Sequence, residues 1–192
     1  MQSKIHMKEF VIGMLNNNLP LFYYYHNYEH TLYVTEKVVE IAQAENCTEE
    51  EIKLLKAAAL WHDSGYISTY KDHEAAGCLL ARQYLPEYGF LPGEIDTICG
   101  MIMATGIPQS PKNKLEEIIA DADLEYLGTK DAGAKADLFF KEIHQLNPAL
   151  TKAEWDKRQV SFLQKHLYFT RYCKENKERV KQTYLNELLK NR

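Results

Sequence analysis

At 192 residues with 45% hydrophobic side chains, the chain is long enough to bury a core as one domain. Its net charge of -4 and pI near 6.0 provide no field that would gather nucleic acid or an anionic membrane. The four cysteines, Cys47, Cys78, Cys99 and Cys173, form no Cys-x-x-Cys pair, and no apolar run approaches the roughly 18 residues that span a bilayer. The polar start, with His6 and Lys8, lacks the apolar segment of a secretory signal, so a reduced, soluble, cytoplasmic protein is expected.

In chain order, Phe10, Val11, Met14 and Leu15 mark a short amphipathic helix over 7–15, stopped by Asn16-Asn17-Asn18 and Pro20. An aromatic stretch, Leu21-Phe22-Tyr23-Tyr24-Tyr25-His26-Asn27-Tyr28-Glu29-His30, leads into a second helix over 28–44, with Leu32, Val34, Val38, Ile41 and Ala42 at helical spacing. Thr48 with Glu51 is a capping box and opens a third helix, apolar nearly all round through Ala59-Leu60-Trp61, which places it in the centre of a bundle. That helix ends in His62-Asp63, and Gly65 lets the backbone turn away. Asp72 is the expected cap of a fourth helix through Tyr84, and Pro92-Gly93-Glu94 opens a fifth through Ala104. After an irregular loop over 108–112, a sixth helix runs from Lys114 towards Gly128 and contains Asp121 and Asp123.

Beyond Gly128 the period stays helical. Helices are expected over 132–146, from a Thr151/Glu154 cap through Trp155 to about Tyr172, and through Leu189. No alternating strand pattern, repeat or low-complexity segment occurs, so the fold class is all-α. A single domain is expected over 1–192, with a core over about 21–128 and the helices of 129–192 packed onto it.

Several ionisable residues fall in apolar helical contexts: His26 and His30, His62 and Asp63, His73 and Glu74, Asp121 and Asp123. Burying such groups without partners costs a few kcal/mol each, and a shared metal would satisfy them together. Two imidazoles with two carboxylates make a mixed nitrogen and oxygen site suited to Mn, Fe, Co, Ni, Zn or Mg as a divalent ion. If both lie on the second helix, His26 and His30 are one helical turn apart, so one can bind the ion while the other faces what the ion holds.

The order His, His-Asp, Asp on successive helices resembles the HD superfamily of metal-dependent phosphohydrolases, over roughly Tyr25 to Gly128. Tyr25-His26-Asn27-Tyr28-Glu29-His30 is similar to the Tyr-His-Asn-x-x-His signature of cyclic-nucleotide phosphodiesterases, a branch of that superfamily. Asp121-Ala122-Asp123-Leu124-Glu125-Tyr126-Leu127-Gly128 is similar to the Asp-x-Asp-Leu-x-x-Leu-Gly ending of small bacterial HD proteins. The resemblance implies an HD-domain helical bundle and a metal held by His30, His62, Asp63 and Asp123, about one ion per subunit. It also implies His26 as proton donor to the leaving oxygen, with Asp63 shared between metal binding and catalysis. Residues two apart on a helix point to nearly opposite sides, so only one of Asp121 and Asp123 can join that set. The Ala122-Asp123-Leu124 match selects Asp123, and leaves Asp121 to orient a ligand imidazole.

The implied reaction is hydrolysis of a small phosphate mono- or diester, a nucleotide or related metabolite, by metal-activated water, with no nucleic-acid or membrane partner. The alternative is a metal-holding or ligand-sensing HD module without turnover. A dinuclear HD oxygenase would need more histidines than His73, the only one between Asp63 and Asp123. His73 and Glu74 either contact the phosphate or its water, or face solvent. Tyr25, Tyr28 and Trp61 read as core or pocket wall. Phosphate-neutralising candidates are Lys71, Arg158, Lys165, His166 and Arg171; Lys112 and Lys114 begin the helix that reaches Asp123 only roughly 13 Å further on.

Overall fold

The structure is a computed structural model that describes residues 6–190; residues 1–5, part of the polar start read above as lacking a signal, lie outside it. Ten α-helices and three 3-10 turns follow one another, with no strand among the described residues. They are α1 (Met7–Asn18), α2 (Tyr28–Ala44), α3 (Glu49–Trp61), α4 (His73–Tyr84), α5 (Pro92–Ala104), α6 (Lys114–Asp123), α7 (Ala132–Leu146), α8 (Lys152–Lys165), α9 (Arg171–Asn176) and α10 (Glu178–Lys190). No described helix is long and apolar enough to cross a membrane.

Short polar side chains start the helices that carry the site. The Asn27 carboxamide oxygen accepts from the N–H groups of Glu29 and His30 at the head of α2, and Asn113 does the same for Leu115 and Glu116 at the head of α6. Thr48 with Glu51 and Thr151 with Glu154 form reciprocal boxes before α3 and α8. α3 is the central element. Leu55, Ala57, Ala58, Ala59 and Trp61 on it are fully buried among Val34, Val38 and Ile41 of α2, Ile98 and Ile102 of α5, and Ile118 and Ile119 of α6. Trp61 stacks on Tyr84 with ring centroids 5.7 Å apart, which makes it a core residue. A second apolar cluster joins Tyr25, Leu124, Tyr126 and Leu127 to Val160 and Leu163 of α8 and Leu185 of α10.

Four local expectations are corrected. Asp72 has left-handed backbone (φ 55) and makes no side-chain cap bond to α4. Gly65 is needed for contact, since a Cβ there would lie 1.9 Å from the His73 carbonyl oxygen; the turn Ser64–Ile67 rests directly on the first turn of α4. The sixth helix ends at Asp123, and Glu125–Gly128 is a tighter 3-10 turn. The helix expected over 155–172 breaks at His166, whose backbone is extended, and Thr170 opens α9 by accepting from the Cys173 N–H.

Candidate metal centre and cavity

The end of α3 is where chemistry begins. The His62 Nδ1–H donates to the Ala59 carbonyl at 2.8 Å, which leaves the Nε2 lone pair facing the bundle interior. Its Nε2 lies 3.2 Å from Asp63 Oδ2 and 3.7 Å from Asp123 Oδ1. From the first turn of α2, His30 Nε2 reaches Asp123 Oδ1 at 3.0 Å and Asp63 Oδ2 at 3.5 Å. The end of α3, the start of α2 and the end of α6 therefore bring His30, His62, Asp63 and Asp123 to one point.

His30, His62 and Asp123 each offer a donor atom within 4.8 Å of the others, and this cluster can hold a divalent metal ion. His62 Nε2 and Asp63 Oδ2 are buried and make no hydrogen bond. Unpaired polar atoms of this kind are costly in a protein interior, and an ion between them would satisfy both. The electrostatics agree with an anionic site. Burial opposes charge on Asp63, but the His62 and His73 imidazoles hold its carboxyl well below the usual range; Asp123 is lowered in the same way, against burial, by His30 and His62.

Asp121 points the other way, as its spacing from Asp123 requires, and does not orient an imidazole. Its carboxylate is fully buried and accepts from the N–H groups of Phe169 and Thr170 at 2.9 and 2.8 Å and from the Thr170 hydroxyl at 2.6 Å. It fastens the 166–170 segment to α6.

His26 sits beside the cluster, its ring centroid 6.0 Å from that of His30. The His26 Nδ1–H donates to Glu142 Oε1 at 2.5 Å, and the other carboxylate oxygen of Glu142 accepts the N–H groups of Tyr25 and His26 at 2.9 and 3.0 Å. Glu142 is fully buried on α7. Burial works against the imidazolium, but the bond and charge of Glu142, aided by Asp63 and Asp123, outweigh it and raise the His26 pKa. Glu142 is absent from the residues singled out in the sequence. Its signal is a carboxylate in register with Ala132, Ala136 and Phe139 on the inward face of α7.

His26, Asp63 and Asp123 open onto a cavity of about 270 Å³. His73 belongs to its wall: it stacks on Tyr66 with centroids 3.8 Å apart, and its Nε2 is 3.5 Å from Asp63 Oδ1 and 3.6 Å from Glu74 Oε1. Tyr25 and Tyr126 form part of the floor, and Phe139 of α7 with Trp155, Gln159 and Phe162 of α8 form the far wall. Tyr28, half-buried, packs against the main core instead. Arg158, at the exposed mouth, is the one cationic side chain among the described lining residues apart from the histidines. Lys71, Lys112, Lys114, Lys165 and Arg171 are exposed and do not line the cavity; His166 is buried against Lys181, 3.2 Å from its Nζ.

Among curated proteins none matches the chain. Among solved structures, the crystal structure of a predicted HD superfamily hydrolase from an uncultured Thermotogales bacterium is similar in fold, with a TM-score of 0.62 and 21% identity over 97% of this chain and 90% of that one. The alignment includes the C-terminal helices as well as the bundle. The sequence pattern of the HD domain matches residues 27–125, which begin one residue after His26 and contain His30, His62, Asp63 and Asp123. A match over more than half of the chain, on the helices that converge at this site, identifies the chain as a member of the HD domain family.

Proposed function

We propose that the chain is a metal-dependent phosphohydrolase acting on a small phosphate mono- or diester, a nucleotide or related metabolite. The observation that carries this reading is the His26–Glu142 pair beside a metal-capable cluster, both facing one cavity. A module that only holds metal or senses a ligand has no use for a buried carboxylate that favours the charged form of an imidazole.

His30, His62, Asp63 and Asp123 would hold the ion, which when bound supplies Lewis acidity towards a phosphoryl oxygen and an acidified water. Glu142 fixes the Nδ1–H of His26 and favours the protonated ring, whose Nε2–H would then serve the departing oxygen of the ester. Asp63, next to both His62 and His73, is placed to orient a nucleophilic water. Arg158 offers the guanidinium that a phosphate dianion needs at the cavity mouth.

The cavity limits the substrate. About 270 Å³ lies just under the range of roughly 300–1,000 Å³ typical of small-molecule pockets, which suits a compact metabolite. Its aromatic walls favour a leaving group with a flat or apolar body. The test is a panel of phosphomonoesters and phosphodiesters incubated with purified protein and each divalent metal in turn. Phosphate or alcohol release that a chelator abolishes and added metal restores is the expected result. Metal-loaded protein that cleaves no ester in the panel would overturn the proposal.

A further inference from the structure

A second groove lies on the other side of α4, between α4, α5 and the loop after α5. It is lined by Cys78, Arg82, Asp96, Cys99, Gly100 and Met103, among others. Cys78 on α4 and Cys99 on α5 face each other across its floor. The Cys78 thiol donates to the Cys99 carbonyl at 3.5 Å, and the Cys99 thiol lies 3.8 Å from the Cys78 carbonyl. Each side chain has a single rotatable bond to its sulfur, so this reciprocal reach occurs only where two helix backbones are in close contact. A disulfide has the same requirement, Cα atoms less than about 7 Å apart with Cβ atoms facing.

We propose that Cys78 and Cys99 are a redox-modification site, a thiol pair that closes reversibly into a disulfide when a peroxide enters the groove. The Cys99 sulfur attacks one peroxide oxygen, the O–O bond breaks, and the departing hydroxide takes a proton to leave as water. Cys99 is then a sulfenic acid. The Cys78 sulfur, deprotonated as it attacks, displaces the hydroxyl from Cys99; the S–O bond breaks, the S–S bond forms and a second water leaves. Two thiols lose two electrons and one peroxide gains them.

The neighbouring Cys78 thiol, with help from the Arg82 guanidinium, favours a thiolate at Cys99 against burial. With Cys99 attacking, Cys78 resolves; the reverse order gives the same disulfide. Arg82 is held at the groove by Asp96, 2.6 Å from its Nη1. Cys47 is more exposed, yet burial, opposed by Lys114, raises its pKa, so exposure alone does not select the pair. The bridge would also reach the active cavity, since Cys78 follows Glu74 by one turn on α4 and Glu74 lines that cavity.

The test uses the whole reduced chain, exposed to a small excess of hydrogen peroxide, alkylated and digested for mass spectrometry. The expected result is loss of two of the four thiols together, a Cys78–Cys99 linked peptide lighter by two hydrogens, Cys47 and Cys173 still alkylated, and full recovery with dithiothreitol. In Cys78→Ser, Cys99 should stop at a sulfenic acid that dimedone traps. Four alkylated cysteines after peroxide, or linkage through Cys47 or Cys173, in a chain whose circular dichroism is unchanged, would overturn the proposal. If Cys78→Ser does not fold, the parent chain decides alone.

Discussion

At the scale of single residues, two carboxylates two positions apart on one helix do different work. Asp123 meets His30 and His62, while Asp121 holds two backbone N–H groups and a hydroxyl of the 166–170 segment. Asp121→Ala leaves those donors buried and unpaired, a cost of about 3 kcal/mol. In a chain of this size that is a fall of roughly 6–12 °C in Tm, with metal content retained in the folded fraction. Unchanged Tm would show that these bonds do not secure the segment. His26 carries the second residue-scale prediction. His26→Ala should keep metal and slow hydrolysis by about 10²–10⁴, less for a nitrophenyl ester, whose leaving group hardly needs a proton, than for an alkyl ester. Because Glu142 raises the His26 pKa, activity should fall as pH rises through that value, and Glu142→Gln should move this alkaline limb to lower pH. Equal losses on both esters, or a limb that does not move, would remove His26 from proton transfer.

At the scale of elements, the helices legible in the sequence are those announced by local chemistry. Thr48 and Thr151 cap what they precede, and the apolar run of α3 marks the central helix; the Asn27 and Asn113 caps emerge only in the structure. The side chains that meet at the end of α3 stand out in the sequence as ionisable residues in apolar helical settings, and it is the resemblance to HD proteins, not helix position, that singles out Asp123 over Asp121. What depends on distant parts of the chain was not legible. Glu142 meets His26 across 116 residues, and the break at His166 is stabilised by Asp121 of α6, with no proline or glycine to announce it. The far wall of the cavity is invisible in the sequence for the same reason, being made when α7 and α8 fold back towards Tyr25 and the Glu125–Gly128 turn. Arg158 on that wall supports a prediction: Arg158→Met should raise KM about tenfold, the worth of one partly exposed charged hydrogen bond of about 1.4 kcal/mol, and leave kcat nearly unchanged. No change in KM would place the phosphate elsewhere.

At the scale of the whole molecule, the C-terminal helices supply the far wall of the cavity and part of the fold's acid sensitivity. His166 is buried where α8 gives way to the segment before α9, with Lys181 of α10 against it and Glu178 on that lysine at 2.8 Å. Burial first, and then the Lys181 charge, lower the His166 pKa to about 4. The unfolded chain, with an ordinary pKa near 6.5, therefore binds more protons between these values, and stability must fall as pH falls through that window. His166 alone accounts for about 2 kcal/mol between pH 7.5 and 5. His166→Asn should flatten the decline of Tm over this range by that amount, and an identical decline in both chains would assign it to other groups.

The whole account depends on the convergence of α2, α3 and α6 on one ion. Elemental analysis of the purified chain, after exposure to divalent metals and removal of excess by gel filtration, tests it most directly, with His30→Ala and Asp123→Ala alongside. The account predicts about one firmly held divalent metal per parent chain and a large loss in both variants, each of which removes a donor from the cluster. A parent chain without metal, or variants that fold and keep the parent's full complement, would contradict it.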